Sequence, residues 1–238
     1  MKTKRPFIYA AYVGIVLMLL GLFLMSSFPK YVPYMAEGFQ TPIIYFEFVQ
    51  TVEEAQQMFG MTGGLLPDDN LIQKMDFANK VDFLYAIVYA LFLFLFAKKL
   101  MKISGKKIFA VVMVLAVLAM VTDWLENIKL ISITENLVSG SFQNDLDALF
   151  VFTWIKWGSL ALSFAILSEW FFRGKIISTI FAFLGWIPLI LGILAFKMPG
   201  FYNELFAKSI MFMFVALIIY SFIYKNPQQA DVLANKKT

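Results

Sequence analysis

The chain lacks cysteine and histidine altogether, and only 15% of its residues are charged. The first absence removes disulfides, thiolate chemistry, haem held by histidine, and zinc held by cysteine or histidine. Any metal would have to be a hard cation on carboxylate and carbonyl oxygens. No segment of the sequence calls for a metal or for an organic cofactor. The scarcity of charge is equally informative, because a soluble domain carries about 25% charged residues. Also missing are a G-x-S-x-G turn, a P-loop and any glycine-rich phosphate cradle. What fills the chain instead is apolar surface: 61% of the 238 residues are hydrophobic and 18% are aromatic.

The apolar residues gather into runs of roughly 20, the length a helix needs to cross a hydrocarbon core about 30 Å thick. Six spans are predicted, at about 7–28, 78–97, 108–128, 148–171, 176–196 and 207–224. The expected fold is an all-α polytopic membrane bundle, one domain over 1–224 with a short helical outer loop between the first two spans. Residues 225–238 read as a short disordered cytoplasmic tail. The first span follows "MKTKR" with no small-residue cleavage site, so a retained helix is expected rather than a signal peptide.

Charge decides the orientation. Thirteen of the 20 basic residues fall on one side of this arrangement. They are Lys2, Lys4, Arg5, Lys98, Lys99, Lys102, Lys106, Lys107, Arg173, Lys175, Lys225, Lys236 and Lys237. Only Glu169 and Asp231 accompany them. By the positive-inside rule both termini and the "KKLMKISGKK" loop lie in the cytoplasm. The net charge of +4 is thereby accounted for by topology and gives no argument for nucleic acid.

The first outer connection, 29–77, is too long to be a simple turn. Thr51-Val52-Glu53-Glu54 fits a capping box, which predicts a short helix over about 52–59 with Val52, Ala55 and Phe59 on one face. "MTGG" breaks it, and Asp68 or Asp69 after Pro67 can cap the helix that leads into the second span. The connection is either a lid over the bundle or an amphipathic spacer resting on lipid headgroups.

The third span ends in "VTDWLENIKL". From Ile108 to Thr122 a helix rises only ~22 Å, short of the hydrocarbon thickness, so it should continue through Asn127. Asp123 then lies inside the membrane, with Glu126 and Asn127 nearer the outer interface. Counted the same way, Asp82 stands ~22 Å and Lys156 ~24 Å above the cytoplasmic ends of their helices. Ionisable residues of three successive helices therefore share one layer. Three acids against one lysine leave two negative charges if all ionise, and burial of such charge is costly. The expected ion pair is Lys156 with Asp82 or Asp123, while Lys80 and Lys129 snorkel to water. Trp157 reads as packing or an interface anchor. Glu47 either hangs over the cluster from the loop or faces water.

Four elements in order, "FEFVQTVEEA", "VDFLY", "DWLEN" and "KW", resemble an uncharacterised family of small multi-pass bacterial membrane proteins. The resemblance covers about residues 40–160. It implies no activity, but it implies a bacterial inner membrane. It also marks Glu47, Thr51, Glu54, Asp82, Asp123, Glu126, Asn127 and Lys156 as shared polar positions.

Three functions follow from these residues. In the first, Asp82, Asp123, Glu126, Asn127, Lys156 and Glu47 bind or conduct a small cation, a proton or an amine-type ligand from the outer side. In the second, the protein is a structural or accessory subunit and the cluster is an interhelical polar clamp. In the third, Asp123 and Glu126 act as acid and base on a membrane lipid. The partners expected are the bilayer and a small cation or lipid, and not nucleic acid. Helix breaks typical of secondary transporters are confined to Gly185, Pro188 and Gly192 in the fifth span.

Overall fold

The computed structural model describes residues 5–173 and 176–225. The chain is all-helical there, running α1 (Ile8–Ser27), α2 (Pro42–Glu47), α3 (Val52–Met58), α4 (Asp69–Ser104), α5 (Phe109–Glu135), α6 (Gln143–Phe171), α7 (Ile176–Leu184), α8 (Ile187–Lys197) and α9 (Phe201–Ile223). Six crossings are long and apolar enough to span a membrane: α1, α4, α5, α6, the α7–α8 rod and α9. This is an integral membrane bundle. Residues 226–238 of the proposed tail, "MKTK" and Lys175 fall outside the described residues.

Four helices run past their predicted ends. α4 begins at Asp69 rather than 78, α5 continues to Glu135 rather than 128, α6 starts at Gln143 rather than 148, and α9 starts at Phe201 rather than 207. At 36 residues α4 is about 54 Å long and at 27 residues α5 about 40 Å, both well beyond the hydrocarbon thickness. The surplus is stabilised by a second apolar core. Leu71, Met75, Leu130, Ile133, Leu146 and Leu149 on the projecting ends enclose Tyr45, Phe46, Val49, Ala55, Met58 and Phe59 from the 29–68 connection. That connection is therefore folded onto the helix ends through these six side chains, while Tyr31, Leu65 and Leu66 remain exposed.

Local chemistry fixes its shape. The Glu54 N–H donates to Thr51 Oγ1 and the Thr51 N–H to Glu54 Oε2, each at 3.2 Å, so the predicted capping box is formed. Of the two candidate caps, Asp68 is the one used, accepting from the N–H groups of Asn70 (2.9 Å) and Leu71 (3.2 Å). The connection is also latched to the start of α9. Buried Glu204 accepts from the N–H groups of Gln40 (3.0 Å) and Thr41 (2.7 Å) and from Thr41 Oγ1 (2.9 Å). Gly38 and Gly200 sit at this crossing with φ of 90° and 91°. A Cβ on Gly38 would stand 2.7 Å from the Phe201 nitrogen, so the backbones approach where no side chain fits.

Within the bundle α5 packs between α4 and α6, and α1 closes against α4 and α9. Gly14 and Gly21, seven apart, both serve close helix contacts. A Cβ on Gly14 would lie 2.7 Å from Ile218, and one on Gly21 3.3 Å from the Tyr85 ring. One end of the bundle is basic. Arg5, Lys98, Lys99 and Lys102 surround a shared hollow there, and Lys106 pairs with Glu169.

The fifth crossing breaks at Gly185–Trp186, just ahead of Pro188, whose ring nitrogen offers no hydrogen for a helix bond. Gly185 presses on α6: an added Cβ would lie 2.7 Å from Ser168 Cβ and 2.9 Å from the Phe164 carbonyl oxygen. Gly158, on α6, has open space at the same point. Gly185→Ala should therefore destabilise the protein by about 1–3 kcal/mol through overpacking. Gly158→Ala should be neutral or stabilise by about 0.4–1 kcal/mol. Thermal unfolding of the two variants in detergent gives the comparison.

Candidate functional site

Asp82, Asp123, Glu126, Asn127, Lys156 and Glu47 meet in one cluster at the membrane-interior end of the second core, all of them buried except the half-buried Asp82. α4 supplies Asp82, and α5 supplies Asp123, Glu126 and Asn127, spaced so that one helical face carries all three. Lys156 comes from α6. Glu47 closes the group from the last turn of α2, whose short helix begins at Pro42 and is buried against α5, α6 and α9. Of the two placements open to Glu47, the one over the cluster is observed.

Lys156 is the hub. Its Nζ is 3.1 Å from Glu47 Oε1 and 3.7 Å from Asp123 Oδ1, and it is in direct contact with Glu126 Oε2. Of the two expected partners, Asp123 is within ion-pair distance and Asp82 is not. Asp82 is held instead through Asn127, whose Nδ2 donates to Asp82 Oδ2 at 2.8 Å and lies 3.5 Å from Asp123 Oδ1. The reason is geometric: Asn127 fills the space between α4 and α5, while Glu126, one residue earlier, turns toward α6. Lys129 departs from its expected snorkelling as well. It pairs with Asp145 at 2.7 Å, and Ser132 donates to the same carboxylate.

Further side chains complete the network. Tyr89 OH donates to Asp123 Oδ2 at 2.9 Å. Thr153 Oγ1 is 2.8 Å from Glu126 Oε1 and 3.2 Å from the Glu47 carbonyl oxygen. Trp157 is more than packing, since its Nε1 donates to Glu47 Oε2 at 2.9 Å and its ring lies 5.0 Å from Lys156 Nζ. A neutral hydroxyl leaves no anomaly in an apolar run, so Tyr89 and Thr153 carried no sequence signal. Thr153 stands one helical turn before Lys156, which is the spacing that could have found it. Burial pushes the Glu47 carboxyl up from its ordinary value, and the Lys156 ammonium beside it pulls the other way.

The electrostatics do not close. Four carboxyl groups face one ammonium, and full ionisation would leave three negative charges uncompensated in a buried site. Such a site persists only if protons or another cation make up the difference. Beside the cluster is a cavity of about 320 Å³. Its polar wall is Glu47, Asn79, Asp82, Asp123, Asn127 and Lys156, and its opposite wall is apolar, from α1 and α9. Asn79 is fully buried, and neither its Nδ2 nor its Oδ1 has a hydrogen-bond partner. Among the described residues, no group of three or more acidic side chains is arranged to hold a metal ion.

Removing the hub should be severe. Lys156→Met strands three carboxyl groups and should destabilise the protein by about 3–5 kcal/mol in thermal or denaturant unfolding. Adding Glu126→Gln should recover part of that loss, since it removes one stranded charge while leaving an acceptor for Thr153. An unaltered midpoint in Lys156→Met would contradict the network as described.

No protein-family model matches the chain, and no curated protein and no solved structure matches it either.

Proposed function

We propose that the cluster is a binding site for a small cationic species, an amine or a proton, facing the outer side of a bacterial inner membrane. The observation that carries this reading is the surplus of buried carboxyl groups over ammonium beside a cavity. A cation in the cavity would meet Asp82 and Asp123 and offset that surplus. The clamp reading explains the bonds around Lys156, but a clamp needs only one carboxyl group per lysine and no cavity.

Two features argue for binding rather than alternating access or chemistry. α1, α4, α5, α6 and α9 are continuous where they surround the cavity, and the one broken crossing, α7–α8, does not line it. Unwound half-helices at the site are the mark of many secondary transporters. Glu126 is enclosed behind Lys156 and does not reach the cavity wall, so it is poorly placed as one half of an acid–base pair acting on a lipid.

Orientation follows from the basic end of the bundle, which the positive-inside rule assigns to the cytoplasm together with both termini. The chain has no native cysteine, so single-cysteine labelling reads topology directly. Ser139→Cys, in the α5–α6 connection, should react with an impermeant maleimide in intact cells, and Ser104→Cys only after the membrane is opened. The reverse pattern would invert the assignment.

For ligand binding, thermal unfolding across a panel of monovalent cations and short primary amines should find a stabilising amine. At about a hundredfold excess over Kd one site adds about 2.7 kcal/mol. The stabilisation should vanish in Asp82→Asn. A panel in which nothing stabilises the wild-type protein favours the clamp.

A further inference from the structure

The cavity has two chemically opposite walls, and the second says what shape of ligand belongs there. Opposite the carboxyl groups it is lined by Leu17, Met18, Leu22 and Met25 of α1 and by Met211 and Val215 of α9. Met18, Leu22, Met25 and Met211 are also among the exposed large apolar side chains of the bundle surface. In a membrane that surface faces lipid. The cavity therefore opens sideways between α1 and α9 into the hydrocarbon layer, with α2 over its polar end. A small hydrophilic cation would leave the apolar wall unmatched, whereas a long chain would fill it.

Asn79 gives a second, independent indication. A buried side-chain amide with both polar atoms unpaired is expensive, and native structures rarely keep one without a use. Asn79 lies one helical turn before Asp82 on the cavity wall, and its amide offers both a donor and an acceptor. An ammonium head can donate to Asn79 Oδ1 and to the carboxylates together. A phosphate head is disfavoured, because four carboxyl groups repel it and the single lysine is already engaged. A neutral alcohol could bond Asn79 but would leave the charge surplus untouched. The cavity volume, about 320 Å³, sits at the lower end of the roughly 300–1,000 Å³ of small-molecule sites, which suits a head and one chain.

Resting on the cation-binding reading above, we infer that the ligand is a single-chain amphiphile with a protonated amine head, entering laterally from the lipid between α1 and α9. The head contacts Asp82, Asp123 and Asn79. The tail lies along Leu22, Met25 and Met211.

The test is thermal unfolding of the full-length protein in phosphatidylcholine nanodiscs with ethylamine, hexylamine and decylamine. Decanol and decanoate report nonspecific partitioning of a ten-carbon chain. Decylamine should stabilise at a concentration at least roughly tenfold below that of ethylamine, because buried methylenes add affinity. Decanol and decanoate should not stabilise. Met211→Trp, which fills the mouth on α9, should erase the chain-length advantage, and Met18→Trp on α1 should do the same if the first variant is poorly folded. Asn79→Leu should raise the unliganded midpoint and weaken decylamine at least tenfold. Equal potency of ethylamine and decylamine, or full potency of decylamine on both tryptophan variants, overturns the lateral amphiphile site while leaving the cation site standing. Failure of every amine to stabilise overturns both.

Discussion

One buried ammonium organises this protein. Lys156 reaches from α6 to carboxyl groups on α5 and on α2, so a single side chain joins two membrane crossings to a segment that lies outside them. A charge in that position is tolerated only when surrounded by groups of opposite sign. Each partner is in turn held by a neighbour: Glu126 by Thr153, Glu47 by Trp157, and Asp123 by Tyr89. The geometry of α2 follows from this constraint. Its six residues are too few for an independent helix, and burial of Glu47 over Lys156, with Phe46 and Tyr45 in the second core, is what sets it in place.

The same constraint links the two cores. The apolar core inside the bundle fixes α4, α5 and α6 at one height, while the core at their projecting ends fixes the 29–68 connection. The polar cluster lies at the junction between them. Glu204 adds a second polar tie on the α9 side, so the connection is anchored at both edges of the cavity that it covers. The cavity is thus roofed by a segment whose position depends on charge, and walled on one side by α1, which Gly14 lets approach α9 and Gly21 lets approach α4.

Much of this was legible before any coordinates. Counting residues along a helix placed Asp82, Asp123 and Lys156 in one layer, because a charge interrupting an apolar run is a strong signal and helical rise is constant. The capping box at Thr51–Glu54 was equally plain, being a local interaction between residues three apart. Less could be read where the interaction is long-range. Glu47 lies in a loop by hydropathy, and nothing local shows that its helix turns inward. Choosing among acids for Lys156 requires side-chain direction, which depth alone does not supply, so depth points to Asp82 or Asp123 and not to the contacts with Glu126 and Glu47. Glu204 sits in "GFYNELFAK", which reads as polar connection rather than helix start. Asn79 sits where a helix meets an interface, and a polar residue there attracts no notice until its lack of partners is seen.

The proposed site depends on a cation offsetting the carboxyl surplus in the cavity. An experimental density map of the protein in nanodiscs with bound decylamine examines that most directly. The predicted result is an amine nitrogen within hydrogen-bond distance of Asp82, Asp123 or Asn79, with the chain leaving between α1 and α9. A cavity holding only a phospholipid tail, with no polar head at the carboxyl groups, would contradict it.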